Sequence, residues 1–271
     1  MIKDNSFISF QKNNIDIKIK SSLNPDWIDS FLNNYCIDDE IKIGDTIYDI
    51  RNQLIKVSDP ILNKEIVIKN FKLERTYDQL RFRMLSSKAE RSLKIARALK
   101  RVGLKTPEPL AVIEKRGKTN ELIFSYYVTY YVDYDFNMLE IAKDFEHPER
   151  YKIRELMPQL GKEVKRMHKA NIMHNDLHAG NILVKDFETK PKLYYIDLNR
   201  GRIKDQLSEK DKVDDLKRLK FTDQEKKIFF KNYAPGNWKY YKRKVSEARQ
   251  KRRKFVKTKN KIRSFLGIKK D

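Results

Sequence analysis

The sequence predicts an α+β protein: an antiparallel sheet of five strands carrying one helix, followed by a mostly helical part. Three observations predict it. Strand-like runs recur between residues 46 and 132, separated by turn formers. One stretch among them, Ser87 to Val102, instead has helical spacing and a capping signal. From Asn137 onward apolar residues recur at helical spacing, interrupted mainly by a polar loop and two short apolar runs around residue 180.

Residues 1–40 read as an introductory extension. Ile15, Ile17 and Ile19 alternate with polar residues as in a half-buried strand, and Asn24-Pro25 can start a short helix carrying Trp27, Ile28, Phe31 and Leu32. Residues 41–132 form the first lobe. Its opening strands are Thr46 to Ile50, Leu54 to Val57 and Glu65 to Phe71, with turns at Arg51-Asn52 and from Asp59 to Lys64. Lys69 ends the run Ile66-Val67-Ile68. By itself it reads as an outward-facing strand lysine.

Ser87-Lys88-Ala89-Glu90 has the S-x-x-E form of a capping box, and the helix it starts is stopped by Gly103, Pro107 and Pro109. Glu90 has two compatible roles: it can close its own cap, or it can hold Lys69 in an ion pair. Leu110 to Glu114 and Leu122 to Val132 complete the five strands around a turn at Gly117. The dense aromatics Tyr126, Tyr127, Tyr130 and Tyr131 read as sheet packing. Residues 133–238 form the second lobe, with helices from Asn137 to Lys143 and from Tyr151 to Lys169. Ile153, Leu156, Leu160, Val164 and Met167 supply the buried stripe of the longer helix.

The chemistry-bearing stretch is His174-Asn175-Asp176-Leu177-His178-Ala179-Gly180-Asn181, running straight into Ile182-Leu183-Val184. A second run, Leu193 to Ile196, ends on Asp197. The two runs read as an antiparallel hairpin, in which the start of one strand lies beside the end of the other, so Asn181 and Asp197 are expected to approach each other. A carboxylate and an amide oxygen suit Mg²⁺ held together with phosphates. Asp176 stands apart, where it can orient a hydroxyl. Asp, Asn, Gly and His are also ordinary turn formers, so the H-x-D-x-x-x-x-N match gains its weight from the trailing Ile196-Asp197-Leu198.

Composition narrows the partners. The 271 residues, 39% of them hydrophobic, can bury a real core. Sixty Lys and Arg against 38 Asp and Glu give a net charge of +22, which calls for an anionic partner such as a phosphate-rich lipid surface or nucleic acid. The single Cys36 excludes an internal disulfide framework and a cysteine zinc cluster. No cleavable signal heads the chain, and its longest apolar run, within Leu122 to Val132, is too short and too polar to span a bilayer. The expectation is an intracellular protein whose membrane contact is peripheral.

Residues 239–271 form a basic tail. Fifteen Lys or Arg there face only Glu247 and Asp271, so +13 of the +22 lies in this segment. Positions 241, 245, 248, 252, 255, 259, 262 and 266 follow helical spacing, and six are apolar: Tyr241, Val245, Ala248, Phe255, Ile262 and Leu266. Such a helix can dock on the rest of the protein, lie on a membrane surface, or bind nucleic acid.

Strand lysine, helix glutamate, H-x-D-x-x-x-x-N and a strand-ending aspartate, in that order, resemble the protein-kinase-like fold. Ser87 to Ser92, Gly103-Leu104-Lys105-Thr106-Pro107-Glu108-Pro109-Leu110 and His174 to Asn181 are similar to the lipopolysaccharide kinase family, over approximately residues 41 to 220. That resemblance implies a two-lobed fold and ATP-dependent transfer of phosphate to an inner-core sugar of lipid A-linked saccharide, 3-deoxy-manno-octulosonic acid (Kdo) ahead of heptose. It implies that Lys69 contacts the nucleotide phosphates, that Glu90 orients Lys69, and that Asn181 and Asp197 bind Mg²⁺. Asp176 would receive or position the sugar hydroxyl proton. His178 occupies the place where protein kinases usually have a lysine, on the nucleotide side, unless it is a hydrogen-bonded loop histidine. His174 would brace the loop, and the adenine would dock near Tyr131 to Asp133.

There are departures from the pattern. No G-x-G-x-x-G lies between the first strands, Asp197-Leu198-Asn199 replaces D-F-G, and no A-P-E follows. One of Asp214 and Asp215 either supports the loop from below or starts a solvated helix, the latter being the expectation. The resemblance favours an anionic membrane surface for the tail, at the cytoplasmic face, over nucleic acid. Other small-molecule kinases, protein kinases and a non-catalytic kinase-like binding module remain alternatives.

Overall fold

The computed structural model describes residues 6–37, 40–41, 43–49, 52–73, 82–83 and 85–265. Two compact units divide the chain: residues 1–101, 105–133 and 196–200 in the first, and 102–104, 134–195 and 201–271 in the second.

The first unit holds strands β1 (Phe7–Lys12), β2 (Ile15–Lys20), β3 (Cys36–Ile37), β4 (Glu40–Ile41), β5 (Asp45–Asp49), β6 (Gln53–Asp59), β7 (Lys64–Asn70), β8 (Pro109–Arg116) and β9 (Leu122–Tyr130). Helices α1 (Asp26–Tyr35) and α2 (Lys88–Arg101) also belong to it. Seven strands form one antiparallel sheet in the order β1-β2-β8-β9-β7-β6-β5, while β3 and β4 pair separately.

The five expected strands are the run from β8 to β5, but they are not the whole sheet. The N-terminal strands join the same sheet: β2 pairs along β8, from Ile15 opposite Lys115 to Ile19 opposite Ala111. Without β2 that edge of β8 would present unpaired backbone groups. Alternation along each strand sends neighbours to opposite faces. Ile17, Ile19, Ile66 and Ile68 bury on one face together with Trp27, Ile28 and Phe31 of α1, and the Trp27 indole donates to Asp59 Oδ2 at 2.9 Å. The other face carries Phe71, Val112 and Tyr127, packed under Ala89 and Leu93 of α2. Of the turn between β5 and β6, Ile50 and Arg51 lie outside the described residues.

The second unit contains β10 (Phe136–Asn137), α3 (Met138–Ala142), α4 (Arg150–Lys169), β11 (Ile172–Met173), β12 (Ile182–Lys185), β13 (Lys192–Tyr195), β14 (Arg202–Ile203), α5 (Glu209–Leu216), α6 (Asp223–Tyr233) and α7 (Trp238–Phe265). The expected hairpin is β12–β13, with Ile182 opposite Tyr195, and β10 adds a third strand. The predicted stripe of α4 is buried throughout. At Gly161 a Cβ would come 2.6 Å from the Phe229 carbonyl, so glycine is what lets α6 lie against α4. Across the same helices Arg150 and Glu225 form a buried two-pronged pair, Nε to Oε1 and Nη2 to Oε2, both 2.7 Å. Thr222 and Glu225 also form the capping box of α6.

The basic tail is the continuation of this unit and not a domain of its own. Tyr241 and Val245 are buried, and Tyr240 donates to Glu209 at 2.7 Å. Farther along, the seam emerges: Phe255 is 68% exposed. The side chain of Ile262, and Leu266 entirely, lie outside what is described. No helix among the described residues is long and apolar enough to cross a membrane.

Candidate active site

Lys69 sits on β7 with its side chain on the α2-covered face, directly opposite Tyr127. Its side chain is 13% exposed, so the outward-facing reading does not hold. Its ammonium pairs with Asp197 Oδ1. Asp197 follows β13 and belongs, with residues 196–200, to the first unit. It adopts φ +58°, a left-handed conformation that Asp and Asn tolerate better than most residues. Asn199 Nδ2 donates to the same Oδ1 at 2.5 Å, and Arg91 Nε of α2 holds the Asn199 carbonyl at 3.1 Å. Helix α2 thus fixes the segment after β13 through Arg91.

Glu90 departs from the sequence expectation. Ser87 Oγ caps α2 by accepting from Glu90 N at 3.0 Å, but the Glu90 carboxylate pairs with Lys18 Nζ at 2.5 Å, not with Lys69. The register explains the separation. Lys18 lies opposite Val112, Val112 opposite Tyr127, and Tyr127 opposite Lys69, placing the two lysines three strand spacings apart, roughly 14 Å. One carboxylate at this end of α2 serves the nearer lysine, which the N-terminal strands supply.

In the second unit, the loop of residues 174–181 is built from beneath. The aspartate expected in a solvated helix start is the opposite: Asp215, in the last turn of α5, is 1% exposed. Its Oδ2 accepts from His174 N at 2.9 Å and lies 3.1 Å from His168 Nε2, while Oδ1 accepts from Asn175 N at 2.7 Å. Burial by itself would raise its pKa, but these hydrogen bonds and the nearby imidazoles win and hold it below the ordinary value. The other imidazole nitrogen, His168 Nδ1, is 2.7 Å from the Tyr233 hydroxyl, so the ring is held at both nitrogens. Asn175, held this way, adopts φ +60°.

Asp176 is buried and pairs through Oδ1 with Arg218, which follows α5. Asn181 donates from Nδ2 to the Asp176 carbonyl at 2.9 Å, tying both ends of the loop. With Nδ2 engaged, Oδ1 is the atom that Asn181 can offer a hard cation. His178 accepts from Gly180 N at Nδ1, 3.0 Å, which requires the Nε2–H form and turns that donor toward Asp176 Oδ1 at 4.0 Å. It is therefore a hydrogen-bonded loop histidine in its immediate contacts. Gly180 is needed for this fit, since a Cβ would lie 2.9 Å from His178 Cε1.

Among the described residues no cluster of three or more His, Cys, Asp or Glu could hold a metal by itself. Asn181 offers an amide oxygen in the second unit and Asp197 a carboxylate in the first, each a hard oxygen of the kind that Mg²⁺ takes together with substrate phosphates and water.

Residues 64–242 match the family described as "Lipopolysaccharide kinase (Kdo/WaaP) family". The chain belongs to this family. The matched span contains Lys69, Glu90, Asp176, His178, Asn181 and Asp197, together with the two residues that sequence reasoning missed or misplaced, Arg218 and Asp215. A curated relative from Haemophilus influenzae (strain 86-028NP), a 3-deoxy-D-manno-octulosonic acid kinase, is 26% identical over 126 residues, 45% of this chain and 49% of that protein. The chain thus aligns with about half the length of that relative. Among solved structures, WaaP in complex with acyl carrier protein superposes with a TM-score of 0.55 at 18% identity, over 76% of this chain and 88% of that one. At that identity the likeness is one of fold, and it bears out the α+β kinase-like architecture.

Proposed function

We propose that the protein is an ATP- and Mg²⁺-dependent phosphotransferase acting on a sugar hydroxyl of the lipopolysaccharide inner core, with lipid A-linked Kdo as acceptor ahead of heptose. The observation that carries this reading is the joint presence, within the matched family span, of a Lys69–Asp197 pair in one unit and a braced Asp176/Asn181 loop in the other. The distant Kdo kinase relative supports Kdo as the sugar.

Each residue then has a task. Lys69, which pairs with Asp197, turns its ammonium to the α and β phosphates. Asn181 Oδ1 and the Asp197 carboxylate would each serve Mg²⁺, which would supply charge neutralisation at the phosphates. Asp176 orients the acceptor hydroxyl and receives its proton, with Arg218 fixing the carboxylate from one side. His178 directs its Nε2–H toward the same carboxylate, beside the transferring group. Glu90 is left out of the nucleotide site because Lys18 engages it. The loose transition state of phosphoryl transfer needs positioning and charge neutralisation more than covalent help, which is what such a set supplies. On this reading the protein works at the cytoplasmic face of the membrane, held peripherally through its basic tail.

The test offers γ-labelled ATP, Mg²⁺ and a mixture of acceptors: Kdo-lipid A, a heptose-containing core and a general protein substrate. Label on Kdo-lipid A is the expected result. Label on protein alone, or on none of the three, overturns the assignment.

A further inference from the structure

The junction of α6 and α7 concentrates positive charge that the transfer chemistry does not use. Lys226 of α6 and Arg249 of α7 line a small cleft walled by Leu219, Phe221, Phe229 and Val245. Lys242 reaches Asp223 Oδ2 at 2.5 Å, Lys226 stays 4.0 Å from Asp223 Oδ1, and Arg249 donates to the Leu219 carbonyl at 3.3 Å. Among the described residues Asp223 acts on Lys226 against Arg249, Lys242 and Arg253. Burial and then Arg249 pull the Lys226 pKa below its ordinary value; burial and then Arg253 do the same to Arg249. Half-buried like charges gathered around one acid are costly unless an anion joins them.

The next turns of α7 indicate which anion. Arg249, Arg253 and Val256 share a stripe by their spacing of four and three. Phe255 is 68% exposed and Val256 43%, and both stand among the exposed Lys251, Arg252, Lys254 and Lys257. Exposed apolar side chains inside a cationic collar suit the boundary between headgroups and acyl chains.

We propose that the α6–α7 junction is a membrane-docking site, in which Lys226, Arg249 and Arg253 take the phosphate of an anionic phospholipid headgroup while Phe255 and Val256 enter the acyl boundary. This deepens the peripheral-membrane part of the proposed function and is independent of the transfer chemistry.

The experiment is co-sedimentation of the full chain with phosphatidylcholine vesicles, with and without phosphatidylglycerol, at fixed salt. Free inorganic phosphate and a single-stranded oligonucleotide serve as competitors. Binding is expected only with phosphatidylglycerol, and replacing two of these cations (Lys226→Met with Arg249→Met) should weaken partitioning about thirtyfold. Phe255→Ser should weaken it with no change in charge. If the double variant fails to fold by circular dichroism, Arg253→Gln with Phe255→Ser, both at exposed positions, takes its place. Wild-type binding that survives these substitutions overturns the headgroup site and leaves the tail's membrane role standing. No vesicle binding overturns both. Displacement of the vesicles by millimolar phosphate, or by the oligonucleotide at lower concentration than lipid, overturns the lipid assignment in favour of a soluble anion or a nucleic acid.

Discussion

Substituting Asp215 by asparagine tests whether the loop carrying Asp176 is held from beneath by a buried charge. The side chain accepts from His174 N, Asn175 N and His168 Nε2 at 2.9, 2.7 and 3.1 Å. Asparagine keeps the shape but has one oxygen. With that oxygen in the place of Oδ2, its Nδ2 faces the Asn175 N–H, donor against donor. One charge-assisted hydrogen bond, worth about 1.5–3 kcal/mol, is lost and two become neutral, while the cost of burying a charge is relieved; the net is about 2–3 kcal/mol. Asp215→Ala orphans two buried backbone N–H groups and should cost about 4 kcal/mol. Urea denaturation reads both.

The pH dependence of the same variants has a fixed sign. The folded pKa of Asp215 lies below its ordinary 3.8, so its contribution is complete above that value and is lost as pH falls through the lowered one. Asp215→Asn should therefore flatten the acid limb of the stability curve below about pH 4. Because the variant frees the turn before Asp176, turnover should drop about a hundredfold with nucleotide affinity nearly unchanged. A variant within about 0.5 kcal/mol of the parent, with full turnover, would refute the bracing role.

Two further outcomes follow from the same structure. Glu225→Ala leaves Arg150 buried without its carboxylate and removes the α6 cap, so a loss of about 3–5 kcal/mol is expected in chemical denaturation; a loss below about 1 kcal/mol contradicts the buried pair. Lys69→Ala should raise the apparent KM for ATP or abolish turnover, whereas Glu90→Gln, which loses only a partly exposed pair with Lys18, should change it less than about threefold. Equal defects in the two variants would mean that Glu90 leaves Lys18 for Lys69 when nucleotide binds.

Features written in local periodicity were readable in the sequence. The β6–β7 and β12–β13 hairpins, the buried stripe of α4 and the loop from His174 to Asn181 each depend on residues close in the chain. Features set by pairing across the chain were not. Ile15, Ile17 and Ile19 announce a strand but not that its partner is β8, nearly a hundred residues later, and that register is what gives Lys18 to Glu90. Asp215 sits in the charged run Lys212-Val213-Asp214-Asp215, which reads as a solvated helix, and only the packing of α5 buries one of its two acids. Arg218 carried no signal beyond its charge in a chain with sixty Lys and Arg. The α7 seam was visible as a pattern, but periodicity does not say how many of its turns find a partner.

Phosphate transfer itself decides between an active and a silent site: γ-labelled ATP and Mg²⁺ with Kdo-lipid A, comparing the wild-type chain with Asp176→Ala. Labelled Kdo-lipid A is expected from the wild type and, from the variant, at least about a hundredfold less transfer with ATP binding retained. Transfer that persists in Asp176→Ala, or is missing from the folded wild type, would contradict the proposed function.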